Sequence, residues 1–260
     1  MNMNHLVKNK DINENWLYIP EPRPEARLRL ICFPYAGANA SIFKMWPKYF
    51  SEDIEVIAVR LPGKDLRLRE KPLCSMDQIM TELVPQLEVL LDKPIALFGH
   101  SMGAALAYEL AKKLMTKDTV PQHVFVSACR GPMIPRRKKS IHDMSDNDFR
   151  NELGRMGGTP PVILNDDDLY NLMAPGLRAD FEVIEAWGYD EVALLNVPIT
   201  SFYSENDQEA FPEEVEGWSQ VSSATYTEHE MSGDHFFIHS SEARLLHAIA
   251  KTIDRSANTD

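Results

Sequence analysis

Short apolar runs recur along the chain and alternate with longer segments of helical periodicity. Leu28-Arg29-Leu30-Ile31-Cys32-Phe33, residues 54–59, residues 95–98 and residues 124–127 are rich in β-branched and aromatic side chains. Each is bounded by Gly, Pro or charge, and each predicts a strand. Residues 197–203 predict a fifth, weakened at its start by Pro198, and residues 224–227 a sixth. Ser75-Met76-Asp77-Gln78 is a capping-box pattern, with Ile79, Leu83, Leu87 and Leu90 following at helical spacing. Pro85 inside that pattern should kink or split the helix. Residues 104–114 and 242–253 predict two further helices. Strands alternating with helices imply a mostly parallel sheet covered on both faces.

The rhythm breaks between 132 and 190. Pro132-Met133-Ile134-Pro135 leads into the basic run Arg136-Arg137-Lys138-Lys139. The acidic clusters Asp146-Asn147-Asp148 and Asn165-Asp166-Asp167-Asp168 each predict the start of a short helix, with Gly157-Gly158-Thr159-Pro160-Pro161 between them. An insertion of small helices is therefore expected between two strands. In an α/β sheet such an insertion lies over the carboxyl edge, where ligands bind. A lid is the expected role, and a fixed helical excursion the alternative. Residues 1–26 are polar, end in Pro20-Glu21-Pro22-Arg23-Pro24 and read as a loose tail. Residues 27–255 are expected to form one domain carrying the insertion.

Composition narrows the picture. A length of 260 residues suits one large α/β domain. With 27 basic against 39 acidic residues the formal net charge is −12, which argues against nucleic-acid and membrane partners. The cysteines Cys32, Cys74 and Cys129 are too few and too odd in number for a disulfide framework. The N-terminal stretch lacks the apolar core of a signal peptide, and no run of about 18 apolar residues spans a bilayer. A cytoplasmic location is expected.

Candidate chemistry centres on Gly99-His100-Ser101-Met102-Gly103, a G-x-S-x-G pattern. A strand runs into it, and a helix rich in small residues (Ala104, Ala105, Ala107) leaves it. This is the strand–elbow–helix context of an α/β-hydrolase nucleophile, here Ser101. Side chains at 99 or 103 would collide with the neighbouring strand or helix. The helix N-terminus directs positive partial charge at the serine, which suits a developing oxyanion. The fold takes one oxyanion donor from the residue after the nucleophile, here the Met102 amide, and the second from a loop after an early strand. Phe33-Pro34-Tyr35-Ala36-Gly37-Ala38 is placed for that role, with Ala36 as donor and Gly37 as the close alternative.

The fold orders its triad Ser, acid, His. Ser232-Gly233-Asp234-His235-Phe236-Phe237 lies between the last strand and the last helix, so His235 is the expected base and His239 the runner-up. His247 falls inside the closing helix, and His229 in or beside the last strand. The loop Ser204-Glu205-Asn206-Asp207 follows the 197–203 strand. It offers Asp207 as the acid that orients the base, with Glu205 as the alternative. Asp180 and Asp190 lie in or beside the lid. His229, His235 and His239 with Glu230 fit no compact zinc pattern, and neither a P-loop nor G-x-G-x-x-G is present. No cofactor or metal is expected.

Several segments resemble the type II, or editing, thioesterases of nonribosomal peptide and polyketide synthases across residues 28–250. They are Phe33-Pro34-Tyr35-Ala36-Gly37; Arg60-Leu61-Pro62-Gly63-Lys64 with Glu70; Phe98 to Gly103; Gly157-Gly158-Thr159-Pro160; Leu177-Arg178-Ala179-Asp180-Phe181; the Asp207 loop; and Gly233-Asp234-His235-Phe236-Phe237. The chain departs from the family at Ala38 and Ala104, where Gly is common, and in the Ser204-Glu205-Asn206 loop. The resemblance implies hydrolysis of acyl groups stalled on the phosphopantetheine arm of acyl or peptidyl carrier proteins. The phosphopantetheine would then belong to the substrate. Arg136 to Lys139 would be a local patch for the carrier or the phosphate of its arm, unless it is only a solvated charge run. An acyl-CoA thioesterase, a carboxylesterase and a noncatalytic ligand-binding member of the fold remain the alternatives.

Overall fold

The computed structural model describes residues 12–117, 119–188 and 192–257. Seven strands form one sheet: β1 (Leu17–Tyr18), β2 (Leu28–Phe33), β3 (Ile54–Val59), β4 (Ile95–His100), β5 (His123–Ser127), β6 (Ile199–Tyr203) and β7 (Tyr226–Glu230). Their order is β1-β3-β2-β4-β5-β6-β7. Only β1 runs antiparallel to its neighbour. The helices are α1 (Met76–Leu87), α2 (Met102–Met115), α3 (Asp146–Met156), α4 (Pro161–Leu164), α5 (Asp167–Ala186), α6 (Pro212–Val215), α7 (Phe237–Ser240) and α8 (Glu242–Ala257).

Side chains alternate between the two faces of each strand. Leu30 and Cys32 of β2, Val56 of β3, Phe98 of β4 and Phe125 of β5 enter a core closed by Phe43, Trp46 and the apolar stripe of α8. Ile31, Phe33, Ile57, Leu97 and Val126 enter the opposite core, closed by α1 and α2. Because both faces are covered, the central strands are apolar almost throughout rather than alternating. In α8 the stripe is Leu245, Leu246, Ile249 and Ile253, all buried; each contributes roughly 1.5–3 kcal/mol of apolar burial.

The connections position the site. From β2 the chain moves to β3 on one side. From β4, the other neighbour of β2, it moves to β5 on the opposite side. The carboxyl ends of β2 and β4 therefore flank a topological switch point, the crevice where such sheets bind ligands. Phe33 ends one strand and His100 the other.

Four expectations need correction. Residues 12–26 are no loose tail. Trp16 and Leu17 are buried, and β1 pairs with the edge of β3. The Arg23 guanidinium is buried and donates to the carbonyls of Pro47, Phe50, Ser51 and Ile54. Two aromatic or apolar residues and a chain of carbonyl acceptors anchor what its prolines and charges made look free; residues 1–11 lie outside the described residues. Pro85 does not split helix α1, which runs on to Leu87 before a 3-10 turn at Glu88. Pro85 and Thr81 are exposed, so the carbonyl left without a donor can meet water. The last strand is Tyr226–Glu230, later than 224–227, because an exposed edge strand carries few apolar markers.

The insertion holds helices α3 to α5, but α5 is not short: it spans 20 residues, capped by Asp166, whose side chain accepts from Leu169 N. Phe149, Leu153, Tyr170, Ala174 and Leu177 give the insertion a small core of its own. Asp190 lies outside the described residues. Among the described residues no helix is long and apolar enough to cross a membrane.

Candidate active site

Ser101 stands between β4 and α2 with φ 53° and ψ −120°, a region that non-glycine residues enter only under strain. The surrounding backbone enforces it. A Cβ on Gly99 would lie 1.9 Å from the Gly103 carbonyl oxygen, and one on Gly103 would lie 2.2 Å from that of Phe33. Neither neighbour is a side chain that could turn away, so both positions require glycine. The Ser101 amide donates to Ser127 O at 2.7 Å, which ties the turn to β5. Met102 opens α2, where the first amides have no partner within the helix.

The two amides of the loop after β2 differ in their surroundings. Gly37 N donates to the Asp180 carboxylate at 2.6 Å and is thus engaged. Ala36, by contrast, lines a small chamber together with Ser101 and His235.

His235 and Asp207 come together as expected. His235 Nδ1 lies 2.8 Å from Asp207 Oδ2 and 3.0 Å from Oδ1. Asp207 is fully buried and His235 nearly so. Asp207 Oδ1 also accepts from the amides of Glu209 and Ala210, at 2.7 and 3.0 Å. A carboxylate on Nδ1 makes that nitrogen the donor and leaves Nε2 as the basic lone pair. The Ser204 hydroxyl donates to Gly233 O, joining the Asp207 loop to the His235 loop. Among the described residues no hydrogen bond joins Ser101 to His235; such contacts often tighten only with substrate bound.

The alternatives lie elsewhere. Glu205 is exposed. His239 Nε2 pairs with the Tyr35 hydroxyl at 2.9 Å, and His229 stacks on Phe202. These histidines do not converge, and among the described residues no group of three or more His, Cys, Asp or Glu could hold a metal ion.

Three supporting residues carry no role in the sequence reading. His100, an interior residue of the elbow motif, is fully buried, with Nε2 2.8 Å from the His235 carbonyl and Nδ1 2.9 Å from Ser127 Oγ. A carbonyl only accepts, so Nε2 carries the proton and Ser127 donates to Nδ1. Burial holds the His100 pKa well below the ordinary value, with the His235 ring adding to the effect. Its neutral ring clamps the backbone of His235. Lys64 and Asp180 form the second support: they are buried, ion-paired to each other, and in contact with the Ala36-Gly37 loop through Asp180. Both belong to segments that marked the resemblance, which was the only signal the sequence gave of them.

Ser101 and His235 sit where two cavities meet. One has a volume of about 630 Å³ and is lined near the serine by Cys129, Met144, Phe181 and Ile184. The other is a chamber of about 30 Å³ walled by Tyr35, Leu153, Met156, Gly158 and Phe236. The basic run also lines the larger cavity, but three of its four residues are engaged. Arg136 pairs with Glu185, Arg137 with Glu214 and Lys138 with Glu209. Cys129 is buried, and burial pushes its thiol up to about 12.

Sheet order, elbow and the His235–Asp207 pair define the chain as an α/β-hydrolase. The family model for the thioesterase domain matches residues 28–257. Gramicidin S biosynthesis protein GrsT of Aneurinibacillus migulanus is 35% identical over 239 residues, 92% of this chain and 93% of that one. The medium-chain S-acyl fatty acid synthase thioesterase of Rattus norvegicus is 33% identical over 255 residues, 95% of this chain and 96% of that one. The structure of the type II thioesterase BorB from the borrelidin biosynthetic cluster superposes with a TM-score of 0.83 at 31% identity, covering 91% and 96% of the two chains. The chain belongs to the thioesterase family and is a hydrolase acting on thioesters.

Proposed function

We propose that this enzyme is a type II thioesterase that removes acyl groups from the phosphopantetheine arm of acyl or peptidyl carrier proteins in peptide or polyketide assembly, within the cytoplasm. The observation that carries the reading is the His235 ring, oriented by both oxygens of Asp207 and sharing two cavities with Ser101. The likeness to GrsT and BorB supports the carrier-bound substrate.

In this reading His235 Nε2 takes the Ser101 hydroxyl proton as the oxygen attacks the thioester carbonyl carbon. The carbonyl π electrons move to oxygen, where the amides of Met102 and Ala36 receive the charge. Collapse breaks the C–S bond, and His235 returns its proton to the departing sulfur, so the thiol leaves and the imidazole is neutral again. Water then attacks the acyl-serine with His235 again as base, releasing the acid and restoring Ser101. A thiolate is a good leaving group, so protonation of it matters less than in amide cleavage. Asp207 holds the Nδ1 proton of His235 throughout and so fixes the tautomer.

The test is acid release from an acetyl-loaded carrier protein by wild type and by Ser101→Ala. Turnover that vanishes in the variant supports the reading. Cleavage of p-nitrophenyl esters without carrier turnover moves the enzyme to a carboxylesterase, and preference for acyl-CoA to an acyl-CoA thioesterase. The likeness to the rat enzyme favours one second reading, release of medium-chain acyl groups; a panel of acyl lengths on the same carrier decides between them.

A further inference from the structure

The buried Lys64–Asp180 pair sits behind the oxyanion loop and lines neither cavity of the site. Its side chains are 9% and 6% exposed, a costly place for two charges unless they do something a neutral pair would not. Asp180 Oδ2 receives both the Gly37 amide, at 2.6 Å, and the Lys64 ammonium. Burial raises the Asp180 pKa, while the Lys64 charge and the Gly37 amide pull it back. The three segments involved are in close register. A Cβ on Gly176 of α5 would lie 2.6 Å from Gly63 O, and one on Gly37 would lie 2.7 Å from Leu177 Cδ2. Gly37 itself holds φ +85°, a conformation natural only to glycine.

Of the two amides in this turn, that of Gly37 is taken by Asp180, whereas Ala36 lines the chamber with Ser101 and His235. Anchoring the Gly37 N–H on Asp180 fixes the 36–37 peptide and through it limits how the neighbouring Ala36 amide can turn. A bare carboxylate one peptide away would oppose the oxyanion; the ammonium on the same oxygen offsets that field. We infer that Lys64 and Asp180 are positioning residues: Asp180 aims the Ala36 amide at the developing oxyanion by holding Gly37 from behind, and Lys64 cancels the charge of that support. The inference rests on Ser101 as nucleophile and Ala36 as donor. It adds that helix α5 of the insertion is clamped onto the oxyanion loop as part of the catalytic frame.

Two charge-free pairs that differ only in the acceptor test this. Lys64→Met with Asp180→Asn keeps an oxygen for Gly37; Lys64→Met with Asp180→Leu removes it at similar volume. Both are read at matched folded fraction by thermal unfolding. The asparagine pair should exceed the leucine pair in kcat by about tenfold or more, with KM within about twofold, since losing an oxyanion donor costs roughly 10²–10³ in kcat. Affinity for a trifluoromethyl ketone analogue, whose adduct carries the oxyanion, should fall by the same factor. Equal kcat in the two pairs, or a kcat loss without loss of ketone affinity, overturns the inference. If the leucine pair does not fold, Lys64→Met alone leaves the carboxyl unpaired, and kcat and ketone affinity should fall in parallel as pH rises and it ionises; values that track wild type across the pH range overturn the inference as well. Fluorophosphonate labelling of Ser101 in wild type is the control. Labelling elsewhere would sink the site reading itself, whereas labelling at Ser101 with equal pairs sinks only this inference.

Discussion

Asp207→Asn should inactivate the enzyme through a tautomer, and the structure dictates which one. Asp207 Oδ1 accepts from the amides of Glu209 and Ala210 at 2.7 and 3.0 Å. Both are fixed donors, so the asparagine must keep its oxygen at that position. Its NH2 is then forced into the place of Oδ2, 2.8 Å from His235 Nδ1. A donor facing Nδ1 makes that nitrogen the acceptor and drives the imidazole proton to Nε2. The base then offers Ser101 an N–H instead of a lone pair. The same change in a serine protease triad lowers kcat by about 10⁴, equivalent to about 5.5 kcal/mol of barrier at about 1.4 kcal/mol per factor of ten. Shape and backbone acceptor are retained, so the unfolding temperature should stay close to wild type. The assay is hydrolysis of a small acyl thioester, followed as thiol release. Activity within tenfold of wild type in a fully folded variant would refute the argument and reopen the role of Glu205.

Three further outcomes follow from the cavities. Met156→Ala, which opens the chamber of about 30 Å³, should shift the kcat/KM ratio of hexanoyl over acetyl thioesters upward by about tenfold, as one methylene in an apolar pocket is worth roughly 10–200-fold; an unchanged ratio would show that the acyl group lies elsewhere. Iodoacetamide at pH 8 should leave activity intact in a Cys74→Ser background, since the Cys129 thiol is pushed up to about 12 and is almost wholly protonated there; rapid inactivation would contradict it. Lys138→Gln with Lys139→Gln should raise KM for carrier-bound substrate several-fold at low salt and spare small thioesters, measured by kinetics at two ionic strengths; equal effects on both substrates would exclude docking at this run.

The central strands and the nucleophile elbow were legible because each rests on local pattern. Phe98 entering Gly99-His100-Ser101 needs only the chain around it to be read as strand and turn. His235 and Asp207 were found by chain order, a rule that replaces distance. What escaped was set by tertiary context. Arg23 and Lys64 look like surface charges in sequence; only folding brings them to buried acceptors, the carbonyls around Phe50 for one and Asp180 for the other. β1 was hidden because two residues against a sheet edge leave no periodicity. His100 occupies the variable place in its motif, and its hydrogen bond to His235 spans 135 positions of sequence. Nor does any local pattern announce that a carboxylate from α5 takes the Gly37 amide.

The elbow's strained serine rests on distant contacts as well as local ones, and this governs how the enzyme regains activity as it folds. Ser101 is tied to Ser127, and the His100 ring to Ser127 and to the backbone of His235. Until β5 has docked beside β4, and the α7–α8 end has closed over the sheet, these ties on the serine and its neighbour are missing. Contacts so far apart in the chain form late, after the helices and any early collapse. During refolding, helical circular dichroism should therefore recover before hydrolysis does. A collapsed intermediate with most of its secondary structure would be catalytically silent, and turnover would report the complete sheet rather than a part of it.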